Sequence, residues 1–119
     1  MSNFLRINYG VKIAVLTRAL RSALAMNQDE LAVAAGCSRP TVNRIEALDK
    51  ASPRGDTVDE IFQVFRQMGA EIQMGDEEVS IKFGREALLK AEERIRAGYG
   101  RTGPRMTAVA TVVKSPSSE

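Results

Sequence analysis

The stretch NQDELAVAAGCSRPTVNRIE, Asn27 to Glu46, reads as two short helices joined by a three-residue turn, Gly36-Cys37-Ser38. Asn27 begins the first of them with a strong start signal. Its side chain can accept from the amide of Glu30, whose carboxylate can reach back to the amide of Asn27. Met26 and Leu31 stand at the two positions of a hydrophobic staple around that start. Gly36 ends the helix, because a residue free to take positive φ lets the chain turn sharply. The next helix starts at Ser38 to Pro40. Proline suits a first helical turn and pushes the residue before it away from helical angles, so the cap is either Ser38 or Arg39.

Leu31, Ala32, Val42 and Ile45 sit where the two helices of a helix-turn-helix meet. With Val42 and Ile45 facing inward, Arg39, Thr41, Asn43 and Arg44 point out. A first turn rich in hydrogen-bonding side chains is what reading base edges in a major groove requires. The expectation is therefore binding to double-stranded DNA.

Upstream, Phe4-Leu5-Arg6-Ile7 is a short apolar-polar segment, a small strand or an arm. Asn8 is the expected cap of a helix reaching about Met26, whose buried face is Ile13, Leu16, Leu20 and Leu24. Lys12, Arg18 and Arg21 populate its remaining surface. Downstream, DKASPRGD, residues 49–56, is a loop by composition. Thr57 and Glu60 read as a second capping box, opening a helix that gives Ile61, Phe62, Val64, Phe65 and Met68 to the core and closes at Gly69.

Beyond Gly69 the apolar period switches to two. Ala70, Ile72 and Met74, then Val79, Ile81 and Phe83, flank the turn Gly75-Asp76-Glu77-Glu78. This is a β-hairpin with one apolar face. A four-residue loop pairs Met74 with Val79, whereas a two-residue loop pairs Ile72 with Val79. Both registers keep the apolar residues together, so the pattern leaves the choice open. A lone hairpin is marginal in water and its edges invite pairing. A homodimer sharing a sheet through residues 70–83 would answer this, as would a hairpin folded onto its own helices. Arg85 to Ala97 returns to helical spacing, with a narrow stripe of Leu88, Ala91 and Ile95 and the i, i+4 pairs Glu86–Lys90 and Glu92–Arg96. That stripe suits docking or a partner helix, so residues 84–119 are a possible protein-binding region. Residues 98–119, rich in Gly, Ser and Thr, read as a flexible tail in which MTAVATVV alone has strand-like composition.

The fold class expected is mostly α: a helical helix-turn-helix domain over residues 1–69, a hairpin and helix over 70–97 for dimerisation, and a tail over 98–119. The 119 residues, 44% hydrophobic and 27% charged, suit one compact domain with appendages. The formal net charge of +2 is unevenly placed. Residues 1–69 carry nine Lys/Arg against seven Asp/Glu, 70–97 five against seven, and 98–119 three against one. Basic character thus lies beside the two-helix unit and in the tail.

Other chemistries lack their residues. The chain has no histidine and one cysteine, so a disulfide framework, a multi-cysteine zinc site and histidine-based catalysis are excluded, and no cofactor, metal or enzymatic activity is expected. Gly98 to Gly103, GYGRTG, meets the dinucleotide spacing G-x-G-x-x-G but comes after a helix instead of a strand. Cys37 reads as a buried turn residue. No apolar run approaches the length of a membrane span, and no signal-peptide pattern opens the chain, so a cytoplasmic location is expected.

The pattern in Asn27–Glu46 resembles the helix-turn-helix of the XRE/Cro family of phage-type repressors. Gln28, the pair Leu31-Ala32, Gly36, the small apolar Cys37 and the run SRPTVNRIE carry the likeness, which extends more loosely from about Val11 to Gly69. The resemblance implies a compact helical bundle and a sequence-specific transcriptional regulator, a dimeric repressor on a palindromic operator. It implies backbone contacts at Gln28 with Asn27 beside it, and base or nearby phosphate contacts at Ser38, Arg39, Thr41, Asn43 and Arg44. Arg39 and Arg44 lead, since arginine can donate two bonds to guanine. Lys50 and Arg54, in the following loop, are expected phosphate or minor-groove contacts. Arg21 and Glu46 match a family ion pair between the first and third helices. Relatives often end the third helix with glycine, whereas this chain has Ala47-Leu48-Asp49, with Asp49 expected in the left-handed position. A strand-mediated dimer also resembles antitoxin repressors in architecture, which would add a protein partner and control of the chain's own operon.

Overall fold

A computed structural model of the chain describes residues 7–49 and 53–100. The first helix, α1 (Tyr9–Ala23), is capped by Asn8, whose Oδ1 accepts the amide of Gly10 at 2.6 Å. Ile13, Leu16, Leu20 and, just past the helix, Leu24 are fully buried, as their spacing predicts. The helix ends three residues short of Met26. Ala25 takes a left-handed φ of 54°, and the amide of Met26 turns back to the carbonyl of Arg21 at 2.8 Å.

α2 (Gln28–Ala35) starts with both halves of its capping box in place: Glu30 N to Asn27 Oδ1 at 2.8 Å and Asn27 N to Glu30 Oε1 at 3.0 Å. It ends at Gly36, φ 75°. α3 (Arg39–Glu46) is capped by Ser38, whose Oγ accepts the amide of Thr41 at 3.2 Å, so the cap is Ser38 and Pro40 lies in the first turn. At its far end Leu48, φ 60°, and not Asp49, takes the left-handed position. The amide of Asp49 then bonds the carbonyl of Arg44 at 3.0 Å, the same closure used after α1. Only the residue two past the cap can make that bond, which moves the left-handed residue forward by one.

α4 (Gly55–Gln67) begins two residues before the expected capping box. Arg54 occupies the cap position without a side-chain cap bond, and Thr57 lies inside the first turn, so Thr57 and Glu60 form no box. Asp56, in that first turn, takes the place of acidic residue favoured by the amide end of the helix dipole. Val58, Ile61, Phe62 and Phe65 are buried against α1 to α3, with Val64 and Met68 half-buried at the margin.

The hairpin of β1 (Ala70–Met74) and β2 (Val79–Phe83) adopts the four-residue loop, with Ile72 opposite Ile81 and Met74 opposite Val79. The amide of Gly75 donates to the carbonyl of Glu78, closing the loop, and Lys12 Nζ donates to the carbonyl of Gly75 at 2.7 Å. Ile72, Val79, Ile81 and Phe83 pack on the helical core. The chain thus covers most of the hairpin's apolar face itself, Met74 staying exposed, and the polar face of Glu71, Gln73, Ser80 and Lys82 is turned away from it. Among the described residues the sheet has two strands, so each strand has an open edge.

α5 (Arg85–Arg96) docks through its smallest side chains and keeps only Ala91 of the expected stripe. Ala87 is buried and Ala91 half-buried, while Leu88 and Ile95 are 59% and 57% exposed. The reason lies at Gly69, φ 101°, where a Cβ would fall 2.7 Å from the amide nitrogen of Ala87. Backbone meets backbone there, a distance that only glycine and alanine allow. Of the two pairs expected on α5, Glu92–Arg96 forms at 2.8 Å. Among the described residues no helix is long and apolar enough to cross a membrane. Residues 1–6, Lys50 and the tail from 101, with MTAVATVV inside it, lie outside the described residues.

Candidate nucleic-acid interface

α3 is held by one face and offers the other. Val42 and Ile45 anchor it in the core, while Arg39, Asn43 and Arg44 are exposed and Thr41 is half-buried. The carboxylate of Glu46, 6% exposed at the end of α3, fixes the helix to its neighbours. Arg21 of α1 donates Nε to Glu46 Oε2 and Nη2 to Oε1, both at 2.8 Å, in a parallel fork. Its remaining Nη1 donates to the carbonyl of Met26 at 3.0 Å. Arg18 Nη1 reaches the carbonyl of Glu46 at 3.4 Å, so a second α1 arginine touches the end of α3. A paired, bidentate carboxylate tolerates burial that a lone one would not.

Gln28, the first residue of α2, joins this cluster. Its Nε2 donates to Glu46 Oε1 at 3.0 Å and to Asn43 Oδ1 at 3.4 Å. The amide end of α2 and the exposed face of α3 are therefore tied edge to edge. Asn27 is engaged on both sides by the capping box, through its Oδ1 and its backbone amide. The helix N-terminus behind it carries the partial positive charge of unpaired amides, which suits a phosphate.

Not every residue expected to face DNA has free hydrogen-bonding groups. Ser38 spends its Oγ on the cap and lies 2.8 Å from the hydroxyl of Thr41, so the two hydroxyls satisfy each other. Arg39 stands 3.6 Å from Asp29, with both side chains well exposed, a pairing too loose to restrain it. Arg54 donates twice to Asp56, at 2.9 and 3.2 Å. The hydrogen bond from Arg54, and then its charge, hold the Asp56 carboxyl below its ordinary value, while Asp56 raises the guanidinium. The pair is electrically neutral, so Arg54 must leave Asp56 to neutralise a phosphate. Arg44, by contrast, projects from α3 into a cleft shared with Ser38, Thr41, Pro53 and Arg54.

Cys37 is half-buried, less enclosed than expected, because the turn after Gly36 brings it to the surface margin. Burial pushes its thiol up, which keeps it protonated and a weak nucleophile. Among the described residues no three His, Cys, Asp or Glu side chains gather as a metal would need.

One cluster was not expected from the sequence. Arg94, on α5, donates Nε to the carbonyl of Leu24 at 2.9 Å and Nη2 to the carbonyl of Ala25 at 3.1 Å. Nη2 also donates to Glu30 Oε2 at 2.8 Å, and the guanidinium lies over the ring of Tyr99, 4.2 Å from its centroid. Arg94 thus caps the carbonyl end of α1 and steadies the glutamate whose other oxygen starts α2. The available signal was an arginine on the same helical face as Ala87 and Ala91, a place where solvated charges are not expected.

Residues 18–67, from the middle of α1 to the last residue of α4, match a family model described as helix-turn-helix. No curated protein and no solved structure matched the chain.

Proposed function

Through residues 18–67 this chain belongs to the XRE/Cro-like helix-turn-helix family of DNA-binding regulators, and we propose that it is a dimeric repressor reading a palindromic operator with α3. The observation that carries this reading is the one-sided burial of α3: Val42, Ile45 and Glu46 are locked inward while Arg39, Asn43 and Arg44 are exposed. Arg44 and Arg39 are the leading base readers, with Thr41 and Asn43 beside them. Gln28 and the amide end of α2 position the backbone, and Lys50 and Arg54 add phosphate contacts. Dimerisation through residues 70–83 uses an open strand edge, since most of the hairpin's apolar face is already occupied. The working place of such a protein is the cytoplasm.

Selection of binding sites from random duplex DNA tests the reading. The expected product is an inverted repeat whose half-sites lie about 34 Å apart, one helical turn. Recovery of no enriched sequence would sink it, and enrichment of a single half-site would sink the dimer. A second reading, favoured by the exposure of Leu88, Leu89 and Ile95 on α5, is an antitoxin-type regulator that also holds a protein partner on residues 84–119. Copurification of a stoichiometric protein that α5 substitutions release would establish it.

A further inference from the structure

The corner between α1 and α2 is held by arginines from two different helices. The carbonyls of Leu24, Ala25 and Met26, three in succession, each accept from a guanidinium. Arg94 of α5 supplies the first two bonds, at 2.9 and 3.1 Å, and Arg21 of α1 the third, at 3.0 Å. Ala25 takes a left-handed φ of 54°, a conformation that a residue with a Cβ keeps where its surroundings impose it. Part of that constraint comes from α5 and the turn after it. A Cβ at Gly100 would sit 2.9 Å from the Cα of Ala25, so the two backbones touch, and Tyr99 stacks on the Arg94 guanidinium. Arg94, Tyr99 and Gly100 all lie beyond residues 18–67, the part that matches the helix-turn-helix family model.

Two residues past Ala25 the corner delivers the start of α2. Arg94 reaches that start directly: Nη2 donates to Glu30 Oε2 at 2.8 Å, while Oε1 of the same carboxylate accepts the amide of Asn27 at 3.0 Å. A carboxylate with one oxygen on a guanidinium and the other on an amide is fixed in orientation. Gln28 follows Asn27, with its Nε2 on Glu46 Oε1 and Asn43 Oδ1 at 3.0 and 3.4 Å. Hydrogen bonds and a single peptide link thus run unbroken from α5 to the exposed face of α3. We infer that Arg94 is a positioning residue for DNA binding: by holding Glu30 and the corner, it sets the place from which Gln28 meets a backbone phosphate. Its own side chain is 17% exposed and spent on protein acceptors, so it acts through Gln28. The inference rests on the DNA-binding reading above and adds α5 to the elements that serve it.

The test is a double-mutant cycle in the full-length chain, Arg94→Ala with Gln28→Ala, titrated on the selected operator and on a random duplex. Arg94→Ala alone weakens both complexes by roughly tenfold, and equally, because a phosphate contact carries no base sequence. In the Gln28→Ala background the same change costs less than about twofold, the scatter of uncoupled sites. The slope of log K against log salt stays as in wild type, and a slope lower by about 0.9 would make Arg94 a phosphate contact and overturn the positioning role. The amide of Asn27, whose acceptor is then free to turn, exchanges with solvent faster than in wild type. Unchanged affinity, unchanged exchange at Asn27, or an equal loss in both backgrounds overturns the inference. Ile61→Val, a destabilising core change on α4, keeps wild-type affinity, and a matching loss there would show that affinity follows stability instead. Arg94→Gln, with a donor left, repeats the cycle at smaller amplitude should the alanine variant not fold. A wild-type chain that selects no operator would defeat the DNA-binding reading itself, which separates the two failures.

Discussion

Arg94 and Glu30 meet at 2.8 Å across 64 residues of sequence, and both side chains are more than two-thirds buried. The guanidinium also satisfies two main-chain carbonyls at the end of α1 that nothing else in the helix can reach. Arg94→Ala is expected to lower stability by about 2 kcal/mol, the scale of a charged hydrogen-bond cluster near the surface. Urea denaturation measures this. Arg94→Lys recovers part of the loss, since an ammonium keeps the charge but not the fork. A wild-type midpoint for Arg94→Ala would mean that α5 rests on Ala87 and Ala91 alone.

Glu46 is the hub of the interior side of α3. Glu46→Ala leaves Arg21 with only the carbonyl of Met26 and Gln28 with only its longer contact to Asn43. Because Arg21 keeps some solvent, the cost lies at the low end for a broken buried pair, about 3 kcal/mol. Glu46→Gln costs less, since the amide oxygen still accepts from Arg21. A wild-type midpoint for Glu46→Ala would show that the carboxylate charge and hydrogen bonds do not hold α3.

Arg44→Ala leaves the fold within about 0.5 kcal/mol, because the side chain is exposed and unpaired among the described residues. On DNA it costs about 1–3 kcal/mol and relaxes preference at one position of each half-site. A variant with wild-type affinity and an unaltered selected sequence removes Arg44 from the reading surface.

Asp56→Asn releases Arg54. Binding to DNA is expected to tighten a few-fold, with a salt slope steeper by about 0.9, as one more cation becomes available to phosphate. The same change weakens the start of α4 by removing a negative charge from the amide end of the helix dipole. An acid dependence comes from the lowered Asp56 carboxyl. A group depressed in the folded state contributes above its unfolded value, and that contribution disappears as pH falls through the folded one. Arg54 is therefore freed by acid as well as by mutation. Salt slopes for wild type that stay flat on acidification, with no gain in Asp56→Asn, would leave Arg54 without a DNA role.

The parts of the fold legible in the sequence are those whose cause is local. Asn8, the Asn27–Glu30 box and Gly36 act within four residues of themselves, and the buried faces of α1 to α4 come from period alone. The start of α4 was harder, because Arg54-Gly55-Asp56 has loop composition and its helical state depends on packing farther along. Both hairpin registers satisfied the pattern, and the closure between Gly75 and Glu78 separates them. α5 misled for a physical reason: closeness of approach at Gly69 selects small side chains, so its larger apolar residues point away. The position of Arg94 on the face of Ala87 and Ala91 hints at burial, but its partners are not legible because they lie 64 to 70 residues away. At the interface, residue types announced α3, but the self-pairing of Ser38 with Thr41 and of Arg54 with Asp56 needed coordinates.

Gly69 joins α4 to β1 at a point where even one more carbon atom would strike the backbone of α5. A joint filled to atomic contact makes a stiff elbow. The hairpin and α3 also share one core, so whatever grips the hairpin holds the body that carries α3. In an assembly built on the hairpin, the distance between two reading helices would be a property of the folded bodies themselves, as the span of a caliper is set by its frame.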